Sequence, residues 1–128
     1  MKKVVSVLVV MAFVALTAIP GYAEYDKAAV VKVMAESGAA MGAIKKATEA
    51  QDFFAAAQQL MVIATGLKTL EAFTPKKGDK AGWDQNHQSI IDNAFKGIGA
   101  CGEKDVEKLN AAMGEIGKLI KEGHGMFR

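Results

Sequence analysis

The chain has 128 residues, 51% of them hydrophobic, enough apolar material for a packed core. Its 16 basic and 14 acidic residues form no basic stripe, which argues against a nucleic-acid binder held by a charge footprint. The single cysteine, Cys101, rules out an internal disulfide framework; it reads as a small apolar residue at a helix end, with an intermolecular disulfide as the alternative.

The N-terminus reads MKKVVSVLVVMAFVALTAIPGYA: two lysines, an apolar run from Val4 to Ile19, helix-breaking Pro20 and Gly21, then small residues up to Ala23. This is the layout of a secretory signal peptide cleaved after Ala23. As a membrane anchor the run falls short of the roughly 20 residues that a span needs. Removing residues 1–23 leaves one domain, residues 24–128, in which basic and acidic residues balance at 14 each. The expectation is a periplasmic protein with no membrane span in its mature form, either monomer or homodimer.

Within residues 28–47, Val30, Met34, Ser37, Met41 and Ile44 recur at alternating steps of four and three, which is one face of a helix. The next segment, QDFFAAAQQLMVIATGLKTLEAF, repeats the pattern with Phe53, Leu60, Ile63, Leu67 and Leu70. Residues 74–82, TPKKGDKAG, break it with Pro75, Gly78 and four charges, and read as the longest loop. A third helix is expected from near Trp83, with His87, Ile90, Ala94 and Ile98 on one stripe, ending at GACGEKD. A fourth runs from about Asp105 with Val106, Leu109, Met113, Ile116, Ile120 and His124 in register. Four amphipathic helices with tight turns around residues 48–51 and 99–104 predict an all-α, up-down-up-down antiparallel four-helix bundle.

The last helix carries an unusual ending, KEGHGMFR, with His124 between two glycines. Four residues back lies Ile120, then Ile116, and three residues forward lies Phe127, so the imidazole sits on the core-facing stripe near one end of the bundle. Antiparallel packing brings the start of helix one to that same end, with Met34 facing inward and the small Ser37 and Gly38 leaving space beside it. Each residue has an ordinary role open to it, a core methionine and a buried, hydrogen-bonded histidine. A thioether and an imidazole facing each other across a gap are also an axial pair for haem iron.

These residues carry a resemblance. The inward methionine of VMAESGAAMGAIKKA, the interrupted turn before TPKK and the final HGMFR resemble the cytochrome b-562 family and its four-helix relatives, over residues 25–128. The related class II cytochromes c, the cytochromes c-prime, close on Cys-x-x-Cys-His-x-x-aromatic-Arg, where this chain has Ile120 and Gly123 in place of the cysteines. The resemblance therefore implies a haem b held without a covalent link, with Met34 and His124 on the iron. Gly38, Met41, Trp83, His87, Ile120 and Phe127 would surround it, with Leu60 and Ile116 as further wall, Phe73 as cover, and Arg128 beside a propionate. The function implied is electron transfer with a periplasmic redox partner, not enzymatic catalysis.

Other readings stay open. One is a haem-free relative serving as a periplasmic binding or structural module, and another is a five-coordinate haem that binds a small gas with Met34 turned away. His87 stands where the resembled family has an aromatic and is either a wall residue or a second iron ligand. His87, His124 and Met34 together also suit copper. The sequence holds no nucleophile elbow, Gly-rich phosphate loop, His-Glu-x-x-His or inward carboxylate cluster.

Overall fold

The computed structural model describes residues 23–128, so the signal peptide expected at residues 1–23 lies, but for Ala23, outside the described residues. Four helices form the expected all-α bundle: α1 (Lys27–Glu49), α2 (Phe53–Leu70), α3 (Lys80–Glu103) and α4 (Val106–Phe127). Among the described residues the only strand-like pairing is one bridge between Ala23 and Phe73, where Ala23 donates to the Ala72 carbonyl at 2.8 Å and accepts from the Thr74 amide at 3.0 Å.

Each of the four described helices starts from an aspartate. The carboxylates of Asp26, Asp52, Asp79 and Asp105 each accept the backbone N–H three residues on, at 3.1, 3.0, 2.7 and 3.0 Å. Each bond satisfies one of the amides that a helix start leaves unpaired, worth about 0.5–2 kcal/mol, and sets a negative charge at the positive end of the helix. One of these caps also moves an expected boundary. Asp79 starts α3 at Lys80 rather than near Trp83, and with α2 ending at Leu70 the long connection lies at residues 71–79 rather than 74–82.

At its other end α3 runs straight through the GACGE segment that was expected to stop it. The reason is burial: Ala100 and Cys101 are 2% and 5% exposed within the core, which outweighs the roughly 1 kcal/mol that a glycine costs a helix. The chain turns only at Lys104, held in the left-handed region at φ +56°, before Asp105 caps the next helix. Cys101 is a free, buried thiol whose pKa is raised by that burial. The glycines near the C-terminus do not fray the end either, and α4 continues to Phe127.

Packing distributes the four faces unevenly. Ile44, Leu60, Ile63, Leu70, Ile90, Leu109 and Ile116 are almost completely enclosed. Gly97 lets α3 close on α2, since a Cβ there would stand 2.9 Å from Leu60 Cδ1. By length and composition α2, with mean hydropathy 1.2, is apolar enough to cross a membrane; in the bundle one face, Ala56, Leu60, Ile63, Ala64, Leu67 and Leu70, is buried, while Phe54, Met61 and Val62 stay exposed. On α1 the stripe is rotated from the expected one. Val33, Ser37, Ala40, Ile44 and Ala47 are buried, while Val30, Met34 and Met41 lie half-buried at its flank.

Helices α1 and α2, α2 and α3, and α3 and α4 pack closely, but α1 and α4 form no comparably close pair. One side of the bundle is therefore left parted. The left-handed cap at Lys104 generates a prediction: a lysine there works against the steric cost of αL, which glycine does not face. Lys104→Gly is expected to stabilise the fold by about 1 kcal/mol, read as a higher urea midpoint with unchanged m-value.

Candidate functional site

The parted side opens into a cavity of about 620 Å³ at one end of the bundle. That lies within the roughly 300–1,000 Å³ span of small-molecule sites and far above the voids of an ordinary core. Its walls come from the first half of α1, the end of α2, the start of α3 and the last turns of α4. This is the set of helix ends that an up-down-up-down bundle brings together.

All nine residues expected at the site line this one cavity: Met34, Gly38 and Met41 on α1, Trp83 and His87 on α3, Ile120, His124 and Phe127 on α4, and Arg128 just beyond it. Three other expectations are corrected. Leu60 and Ile116 are fully enclosed among core residues and do not reach the cavity. Phe73 lines a separate groove on the outer side of α1 and α2. Residues that the sequence reading missed include Tyr25, Val31, Leu67 and Asn86. Asn86 is one residue ahead of His87, and its position at the wall was available from the helix stripe, but a polar residue there reads as solvent-facing.

Trp83 organises the end of the bundle that holds the cavity. Its Nε1–H donates to the Leu70 carbonyl at 3.0 Å, tying α3 to the last residue of α2. Its ring meets Phe127 of α4 edge-on, with centres 5.4 Å apart, and His87 edge-on at 4.3 Å. Gly78, at φ +84°, lays the connecting segment on the same Phe127 ring, where a Cβ would stand 2.8 Å from Cδ1. Beside it, Lys80 donates to the Phe73 carbonyl at 2.9 Å and pairs with Asp84 at 2.7 Å, fastening the end of the 71–79 connection.

Further in, Asn86 donates from Nδ2 to the Leu119 carbonyl at 3.0 Å, across from α3 to α4. Its Oδ1 would stand only 2.6 Å from a Cβ on Gly123. That glycine is required by close approach, not by flexibility. Gly38 is the opposite case: a Cβ there would meet nothing within 4 Å, so its missing side chain widens the cavity mouth.

The wall groups whose pKa is shifted are two histidines. His87 is 3% exposed, and burial pulls its pKa down to about 4, with Asp84 and Glu71 opposing the shift and Lys80 adding to it. His124 is half-buried, and its pKa is lowered by burial and then by the positive charge of Arg128. Both imidazoles are thus held toward the neutral form that a metal requires. No cluster of three or more His, Cys, Asp or Glu side chains suited to a metal is found among the described residues, so a metal here would rely on imidazole and thioether donors.

The chain matches no family model, no curated protein and no solved structure. The site therefore has to be read from its own geometry.

One consequence is a pH dependence. The unfolded chain takes up a proton on His87 near pH 6.5, while the folded chain refuses it until about pH 4. The contribution to stability is fully present above pH 6.5 and is lost as pH falls toward 4, by about 3 kcal/mol over that window. Urea unfolding of protein without added ligand at pH 7 and pH 4.5 should show the drop, and His87→Phe should flatten it.

Proposed function

We propose that this protein is a periplasmic electron-transfer protein that holds one haem b, without a covalent link, in the end cavity. The observation that carries the reading is the convergence of two imidazoles and a thioether, from three different helices, on one largely apolar cavity. The periplasmic placement rests on the signal-type N-terminal sequence.

The residues present fit such a group. Ile63, Ile90, Ile120 and Phe127 offer apolar wall, and the open space at Gly38 gives a slot where a side chain would otherwise stand. His124 supplies an imidazole kept neutral by burial, and Met34 a soft thioether from α1, the donor suited to reduced iron. Apolar walls keep water from the donors and disfavour extra charge in the oxidised state. Arg128, exposed at the mouth, is positioned for a carboxylate through charge-assisted hydrogen bonds. Bound haem would supply a one-electron couple, with no bond made or broken in a substrate. Cys101 lies near the far end of α3 and takes no part in the cavity, so attachment is non-covalent.

Hemin titration of the purified protein tests this. The expected result is a saturable shift of the Soret band with sharp bands on reduction. His124→Ala should abolish the low-spin spectrum while far-UV circular dichroism stays helical, and Gly38→Leu should weaken binding about tenfold or more by filling the slot. A wild-type protein that gives no haem spectrum, or an H124A variant that binds as well as wild type, would leave the haem-free binding-module reading in its place.

A further inference from the structure

Two described side chains bury a polar atom that finds no hydrogen-bond partner, the hydroxyl of Ser37 and Nδ1 of His87. Both residues line the end cavity, one from α1 and the other from α3, and they are 5% and 3% exposed. Native proteins seldom keep such groups without a use for them, because an unpaired buried polar atom has lost its water and gained nothing.

His87 is also held in place. The Trp83 ring packs edge-on with its own, centres 4.3 Å apart, and Trp83 is in turn fixed by the Leu70 carbonyl and by Phe127. The imidazole makes no hydrogen bond to any described residue, so aromatic packing alone orients it at the wall. Met34, by contrast, is half-buried on a flexible, unbranched stem. The two side chains differ in chemistry as well: imidazole is the harder donor and thioether the softer, so oxidised iron favours the first and reduced iron the second.

Resting on the haem reading, we propose that His87 joins His124 as the protein ligand to the oxidised iron, and that Met34 replaces His87 when the iron is reduced. In the oxidising direction one electron passes to an external one-electron acceptor, the iron–sulfur bond to Met34 breaks, and an iron–nitrogen bond to His87 forms. The neutral imidazole binds through its lone pair, so no proton is released. The exchange converts a thioether-ligated ferrous site into a bis-imidazole ferric site on the same protein.

The test compares hemin-loaded wild type, His87→Phe and Met34→Ala, each oxidised with ferricyanide and reduced with dithionite, by electron paramagnetic resonance and near-infrared magnetic circular dichroism. Oxidised wild type should show a bis-imidazole signature and lack the thioether-to-iron charge-transfer band. Oxidised H87F should gain that band or turn high-spin. M34A should keep the oxidised wild-type spectrum and change only when reduced. His87→Gln, which removes the imidazole but keeps a polar side chain, serves if H87F fails to fold. A thioether band in oxidised wild type, unaltered in H87F or H87Q, overturns the proposal and leaves His87 as a wall residue off the iron. That outcome leaves haem binding intact, whereas a wild-type protein with no hemin spectrum overturns the haem reading and this proposal together.

Discussion

The bond from the Trp83 indole to the Leu70 carbonyl is the contact on which the open end of the bundle depends. It gives the Leu70 carbonyl, which also accepts from the Phe73 amide at 3.1 Å, a second donor, and it does so with the largest side chain of α3. Through edge-on ring contacts the same residue reaches Phe127 on α4 and His87 on its own helix. Three helix ends are thereby locked together while α1 stands away from α4. A four-helix bundle usually closes by burying all four stripes against one another. Here closure at three interfaces is firm enough to hold the fourth apart, and that difference in packing creates the cavity.

The cavity is an arrangement of small and large residues more than of special ones. Ser37 and Gly38 on α1, and Gly117 and Gly123 on α4, take little room along the parted seam, while bulky groups stand at its end and floor. The result is a space bounded by apolar surface, with its polar atoms few and placed at definite points. Such a site chooses its occupant by shape first and by donor chemistry second. Charge at the mouth, from Arg128, acts on whatever part of the occupant stays in water.

Much of the fold was legible because helical periodicity is a global property of a segment. The stripe of α2, through Leu60, Ile63, Leu67 and Leu70, emerged in the structure as read; that of α4 kept Leu109 and Ile116 but turned toward Ala112 and Gly123, leaving Met113, Ile120 and His124 half-buried. All nine site residues converged because antiparallel topology leaves no other arrangement of those helix ends. The boundaries were less legible. Gly99 and Gly102 signalled a stop that burial of Ala100 and Cys101 overrode, and a stop signal cannot announce what lies against it in three dimensions. Asp79 was passed over as one more charge in a loop, although the same residue type begins every other helix. On α1 the stripe was displaced by one position because Val33 and Ala40 compete closely with Val30 and Met41 in hydrophobicity, and only the partner helices decide between them. The orphaned atoms on Ser37 and His87 could not have been foreseen at all, since partnership is decided by neighbours remote in sequence.

The close approach of Asn86 to Gly123 bears on how this chain can change over generations. Gly123 occupies the position where a c-type attachment motif would carry its second cysteine, and any Cβ there runs into an amide that is 7% exposed and engaged with the Leu119 carbonyl. A glycine-to-cysteine change alone would have to expel Asn86 and break a cross-helix bond before gaining a thiol. The two positions are therefore epistatic. A lineage carrying this pair would need a change on α3 first, with no benefit of its own, before a covalent tether on α4 became reachable. The side chain of Asn86 acts as a ratchet that keeps a glycine at position 123.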